Sequence, residues 1–270
     1  MSVRSERKRG RDYIFPQGLE ATDGAYQNLY NVVYAIGKLN IDELHFQVEH
    51  FDELEKGFDF YAPQTFVDEN DERIMFAWAG SGEMDYPSDE NGWAHCLTVP
   101  RKLRVQGEKL YQKPIPALTK LRKQEQKNTL TLSNQPTSIE GFREAVEGIF
   151  HFHESPSEDV YVDIQFNKDD VFRLKYDVKK HVVSIDRGQF THTFGEQFGV
   201  TRNGTLASGE LKKVDLFFDH SILEVFINDG ELAFTSRIFP TKQQLDIQVY
   251  GPEKTRISYE LYELSKAIEK

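Results

Sequence analysis

Asp59 and Tyr61 stand two residues apart in the run Gly57-Phe58-Asp59-Phe60-Tyr61, and Trp78 closes the run Ile74-Met75-Phe76-Ala77-Trp78. A carboxylate beside a phenol, with an indole on a neighbouring strand, is a set of groups that grips a sugar. The carboxylate takes hydroxyl protons, and the flat rings cover the apolar C–H faces. Side chains alternate along a strand, so a strand through this run presents Asp59 and Tyr61 on one face. The same spacing also fits ordinary aromatic sheet core.

Other reactive groups carry less. His151 and His153 alternate in HFHES and share a strand face at a spacing compatible with a metal, but a third ligand is missing nearby, which favours an exposed strand end. Asp215, Asp219 and Asp229 lack the glycine-containing pattern of a calcium loop and read as solvated hairpin carboxylates. No G-x-S-x-G turn supports serine hydrolase chemistry. The single cysteine, Cys96, has no internal disulfide partner and no metal-cluster neighbours. No cofactor is expected.

The elements that must position Asp59, Tyr61 and Trp78 are short strands. Ile74, Phe76 and Trp78 alternate with Met75 and Ala77, Glu69-Asn70-Asp71 supplies a turn before them, and His95–Val99 is a further strand stopped by Pro100. Upstream, NVVYAIG (31–37) and 45–49 are strand-like. Pro114, Pro116 and the helix-prone ALTKLRKQEQK mark a linker with a short helix over 113–127. Strand-like runs then recur at 129–132, 145–152, 159–166, 171–177, 181–186, 212–219, 222–228, 231–238, 245–250 and 256–261, with Asn228-Asp229-Gly230 as a hairpin turn. Ten strands without a long helix predict a two-layer β-sandwich over 128–270.

Composition narrows the class. The chain has 270 residues, and 44 Asp+Glu against 33 Lys+Arg disfavour nucleic-acid and anionic-membrane partners. No apolar run approaches a membrane span or a signal segment, so a cytoplasmic location is expected. Residues 1–12, MSVRSERKRGRD, crowd five basic side chains without apolar periodicity and read as a disordered tail.

GFDFYAPQTF, the strand ending in Trp78, and NGWAHCLTVPRKL resemble, in that order, glycoside hydrolase family 32, and within it the bacterial branch acting on sucrose 6-phosphate. The likeness extends upstream through FPQGLE and YQNLYNVVYAIGKL, and downstream through KLYQKPIPALTKLR and SILEVFINDGELAFTSRIFP. It implies an all-β chain whose residues 13–112 supply about the last two blades of a five-bladed β-propeller, ahead of the sandwich. It implies a substrate rim of Asp59, Tyr61, Trp78 and Gln17, with Trp93 as packing, and a fructoside substrate, sucrose 6-phosphate or sucrose.

The resemblance also exposes an omission. Retaining glycosidases use two carboxyl groups about 5–5.5 Å apart, a nucleophile and an acid. The family carries them in N-D-P-N-G and E-C-P segments, with a stabilising Asp in R-D-P. No proline in this sequence follows an aspartate, and Cys96 follows His95 rather than a glutamate. Glu20 and Asp23 are poor substitutes. The sequence therefore reads as a C-terminal portion of a β-fructofuranosidase without its own catalytic residues, and an N-terminal fragment of the same enzyme is a possible partner. The alternatives are a non-catalytic carbohydrate-binding unit or an inactive relic.

Overall fold

The computed structural model describes residues 2–6, 11–15, 17–19, 26–28 and 30–267, with side chains from residue 26 onward. Period-2 patterning yields strands almost throughout. The first blade comprises β1 (Ser2–Glu6), β2 (Arg11–Phe15), β3 (Gln17–Leu19), β4 (Asn31–Asn40) and β5 (His45–Glu53), with β4 pairing antiparallel to β2, β3 and β5. The basic segment read as a disordered tail is, over residues 2–6, a strand paired with residues 11–15. Residues 1 and 7–10 lie outside the described residues.

The second blade comprises β6 (Tyr61–Val67), β7 (Arg73–Ala79), β8 (Cys96–Leu97), β9 (Arg101–Gln106) and β10 (Lys109–Pro114), in the order β10-β9-β7-β6 with β8 also on β7. Val32, Tyr34, Ile36 and Leu54 from the first blade pack against Phe60, Met75, Ala77, Leu103, Val105 and Leu110 around the second. Burying the aliphatic and aromatic members of this cluster contributes about 1.5–3 kcal/mol each.

A 3-10 helix at Pro116–Leu121, opened by Pro116, leads into the sandwich. One sheet runs β11 (Arg122–Thr131), β22 (Arg256–Leu264), β13 (Ala145–Phe152), β18 (Lys213–Asp219), β19 (Ile222–Ile227) and β20 (Leu232–Arg237). The other runs β12 (Thr137–Arg143), β21 (Gln244–Tyr250), β14 (Val160–Gln165), β15 (Val171–Asp177), β16 (Val182–Gln189) and β17 (Thr201–Thr205). Alternate residues such as Val160, Val162, Ile164, Leu245, Ile247 and Val249 meet between the layers, none more than 1% exposed. The linker anticipated over 113–127 is shorter than its sequence suggests. The charged stretch from Arg122 is already an edge strand, where Lys and Glu guard unpaired backbone. The strands β12 and β17, which apolar patterning does not mark, are both edge strands too.

Strands β19 and β20 are buried on both faces. Leu223, Val225, Ile227, Leu232 and Phe234 point into the sandwich core. The opposite face meets the blades, and Phe217, Phe226 and Ala233 pack there against Val99 and Leu118. Backbone continues the contact: Lys56 N–H donates to Ala233 O (2.9 Å), and Phe58 N–H (2.8 Å) and Asp59 N–H (3.1 Å) donate to Thr235 O. Gly57 is required at this seam, because a Cβ would fall 2.3 Å from the backbone N and O of Thr235.

Arg101, wholly buried, anchors one half of the seam. Its guanidinium donates to Gln112 Oε1 (2.7 Å), Glu224 Oε2 (2.5 Å) and Thr235 Oγ1 (2.6 Å), and Glu55 Oε1 lies 3.8 Å away. Glu224 Oε1 accepts from Val99 N–H at 2.6 Å, and Glu55 Oε2 from Gly57 N–H at 2.6 Å. Two buried carboxyl groups share one guanidinium. Burial, only partly offset by Arg101, pushes Glu55 from its ordinary 4.5 up to about 7, and burial raises Glu224 as well.

A carboxyl that holds its proton longer when folded stabilises the folded state fully below its unfolded pKa, and that stabilisation is lost as pH rises through the folded value. Docking of blades on sandwich should therefore weaken between pH 4.5 and about 7. Thermal melts from pH 5 to 8 should show this decline, and Glu55→Gln should flatten it. An identical slope in wild type and variant would exclude Glu55 as the titrating group.

Candidate functional site

An open cleft lined by aromatic rings lies where the second blade meets the sandwich. It has a volume of about 210 Å³, and Tyr30, Phe60, Tyr61 and Trp78 share its walls with the Gly80–Met84 loop and with Phe198 and Arg202 of the sandwich. Tyr61 and Trp78 are opposite one another in the β6–β7 register, their ring centroids 6.4 Å apart at 61°. Tyr30 lies 6.1 Å from Tyr61 and donates its hydroxyl to Glu83 Oε1 at 3.2 Å. The cleft thus presents edge-to-face rings beside one accepting carboxylate.

The indole of Trp78 is backed by His95, perpendicular at 4.6 Å, and His95 in turn stands 5.1 Å from the Tyr86 ring at 85°. Burial and the nearby Arg237 charge lower the pKa of His95, which keeps the imidazole neutral against the rings. Gly80 makes this packing possible, since a Cβ there would lie 2.2 Å from His95 Cδ2. Trp93, 46% exposed, packs beneath the Arg237 guanidinium at 5.5 Å and does not line the cleft.

Asp59 is not where its spacing places it. The strand begins only at Tyr61, and a register shift between Tyr61 and Gln64, with Ala62 at φ 48°, turns the chain locally. Asp59 sits in the preceding bend and is 0% exposed. Its Oδ1 accepts from Tyr86 Oη (2.7 Å), and its Oδ2 accepts from Arg187 Nη1 (2.7 Å) and Arg237 N–H (2.8 Å). The expectation that Asp59 shares a face with Tyr61 and meets a sugar hydroxyl is corrected: the carboxylate is spent on the blade–sandwich seam. Gln17 lies in β3 opposite Val32, and its side chain falls outside the described residues. Glu20 and Asp23 also lie outside them.

The sandwich's share of the cleft is the part the sequence conceals. Arg202 is 4% exposed, and donates to Asn28 Oδ1 (2.8 Å), Thr201 O (2.9 Å) and Phe198 O (2.9 Å). Asn28 Nδ2 in turn donates to Gly57 O at 2.7 Å. Burial lowers the Arg202 pKa to about 10, so it stays cationic near neutral pH. The available signal was a lone Arg in a short polar strand, TRNGT, which reads equally as surface.

Glu83 is the one carboxylate among the described lining residues of the cleft, where a retaining glycosidase uses two. Cys96, lifted by burial to about 11, stays a thiol. His151 and His153 line a separate open depression with Lys212, Lys213 and Asp229.

The sequence matches the model of the glycosyl hydrolases family 32 N-terminal domain over residues 5–114 and that of the family 32 C terminal over residues 117–263. Sucrose-6-phosphate hydrolase of Staphylococcus xylosus is 35% identical over 92% of this chain and 51% of its own length. That of Bacillus subtilis (strain 168) is 30% identical over 93% of this chain and 51% of its own. The chain thus spans about half the length of the curated relatives it matches. Among solved structures, sucrose-6-phosphate hydrolase from Lactobacillus gasseri superimposes with a TM-score of 0.82 at 26% identity, over 96% of this chain and 52% of that one. A mutant of a Bombyx mori family 32 β-fructofuranosidase in complex with sucrose gives 0.83 at 26% identity, over 100% and 54%.

If His95 sets the Trp78 ring, Gly80→Ala must displace the imidazole and release the indole. Near-UV circular dichroism should lose tryptophan intensity while the far-UV spectrum is retained. An unchanged near-UV spectrum would show that this contact does not orient the ring.

Proposed function

The chain belongs to glycoside hydrolase family 32, and we propose that its cleft is the substrate-gripping wall of a β-fructofuranosidase that hydrolyses the terminal β-D-fructofuranoside of sucrose 6-phosphate or sucrose. The observation that carries this reading is the Tyr61–Trp78 pair, held across one strand register at the cleft wall. In this reading the inclined Tyr61 and Trp78 rings, at 61°, cover the C–H face of a furanose, and Glu83 takes a sugar hydroxyl proton. Relatives named for sucrose 6-phosphate and a family member holding sucrose support the substrate class.

Bond cleavage requires a second carboxyl group, and the described lining residues of the cleft supply only Glu83. In this reading the chain binds and orients the fructoside, and the acid and nucleophile come from a separate segment of the family's N-terminal type. Such a segment would also cover apolar blade side chains that are now exposed, among them Phe66 (49%) and Leu97 (65%). An obligate interface of that kind buries upwards of about 2,000 Å².

The test pairs two measurements. Purified chain should release no fructose from sucrose or sucrose 6-phosphate, while fructose should quench its tryptophan emission. Co-expression with the N-terminal half of a close family member should restore turnover, and in that complex Trp78→Ala should raise KM about tenfold, ~1.4 kcal/mol of binding. Binding that persists without turnover in any co-expressed pair would favour a carbohydrate-binding unit. Fructose release by the chain alone would place the catalytic pair within it and sink the division of labour.

A further inference from the structure

We propose that Arg187, a residue of the sandwich, is a positioning residue for the sugar cleft on the blades, acting through Asp59 and Tyr86 on the Ser81 loop and the Trp78 ring. The proposal rests on the fructoside reading for its functional meaning, but its geometry stands separately.

The connection is continuous. Arg187 Nη1 donates to Asp59 Oδ2 at 2.7 Å, and Tyr86 Oη donates to Asp59 Oδ1 at 2.7 Å. The same Tyr86 oxygen accepts from Ser81 N–H at 2.9 Å, and Ser81 belongs to the cleft wall. The Tyr86 ring meets His95 edge-on, and His95 meets Trp78 edge-on, so one phenol holds both the loop and the indole. Burial, then the Asp59 charge, pushes the Tyr86 pKa far above its ordinary value, which keeps the hydroxyl a donor at any working pH.

Arg187 is built to hold this end rigidly. Its guanidinium lies between the rings of Phe58 (4.0 Å) and Phe194 (4.5 Å), and Nη1 also reaches Arg237 O at 3.1 Å. Phe58 itself lines the cleft, and Phe194 packs on Tyr86 at 5.2 Å. Asp59 is wholly buried, so water cannot replace a lost donor there without opening the seam. Without Arg187, the carboxylate keeps only the Arg237 amide and the Tyr86 hydroxyl, and the easiest relief is rotation. Rotation moves the Tyr86 oxygen, and the Ser81 amide and His95 move with it.

The chain has two tryptophans, Trp78 and Trp93, so a Trp93→Phe background leaves Trp78 as the sole reporter. In that background, Arg187→Met and Tyr86→Phe should each red-shift the emission and increase its quenching by acrylamide, and Arg187→Lys should restore most of the wild-type signal. The Kd for fructose should rise about tenfold in the same two variants. Unchanged emission and quenching in Tyr86→Phe, which loses a single oxygen and keeps its ring, would overturn the proposal even if Arg187→Met fails to fold. A lowered melting temperature with an unaltered Trp78 signal would also overturn it, reducing Arg187 to a structural role. If the Trp78 signal responds but wild-type protein binds no fructose, the positioning stands and the fructoside reading of the cleft falls.

Discussion

A carboxylate removed entirely from water must be met by donors on every side, and Asp59 sets that requirement at the centre of this molecule. Its donors come from both units: Tyr86 from the blade, Arg187 and the Arg237 amide from the sandwich. Losing one partner of such a buried pair costs about 3–5 kcal/mol, because the remaining charge is stranded in a poor solvent. The two units satisfy Asp59 together in the orientation they adopt. That orientation also lays residues 56–59 along β20, closes Gly57 onto Thr235 and brings Arg202 to the cleft.

The second buried cluster, around Arg101, works differently. Asp59 has two cationic or amide donors on one oxygen and a phenol on the other, whereas Arg101 serves two carboxyl groups at once. One guanidinium only partly offsets the burial of two carboxyl groups, so both hold their protons to higher pH than usual and the seam becomes sensitive to pH. The rings of Phe60 and Phe226, 5.0 and 4.8 Å from the guanidinium, exclude the water that would otherwise screen it. The seam therefore couples orientation, set at Asp59, to proton occupancy, set at Glu55 and Glu224.

The cleft is a consequence of this docking. One wall is blade, with Tyr61 and Trp78 placed by the β6–β7 register. The facing groups, Phe198 and Arg202, come from a 3-10 turn and an edge strand of the sandwich. Arg187, Arg202 and Arg237 of the sandwich are all buried; Arg187 bonds Asp59 of the blades, and Arg202 lines the cleft.

Much of this was legible in the sequence. Period-2 alternation marked most strands of both units, and Asn228-Asp229-Gly230, at φ 49°, 58° and 91°, was readable as a turn from residue types alone. The Tyr61–Trp78 pair was legible because adjacent strands joined by a short turn leave little freedom of register. That no aspartate precedes a proline and no glutamate precedes Cys96 was legible because an absent dipeptide needs no fold to be absent. The tertiary structure alone decided what faces what. Edge strands such as β17 need no apolar pattern, since one side meets water, and Arg202 was hidden there. Asp59 has the spacing of a strand residue, but it lies in a bend before the strand that starts at Tyr61, and its carboxylate is turned to Arg187, 128 positions away in sequence. Alternation records which side of a strand is buried. It does not record whether the burying surface is the strand's own core or another unit, because both remove the side chain from water equally well.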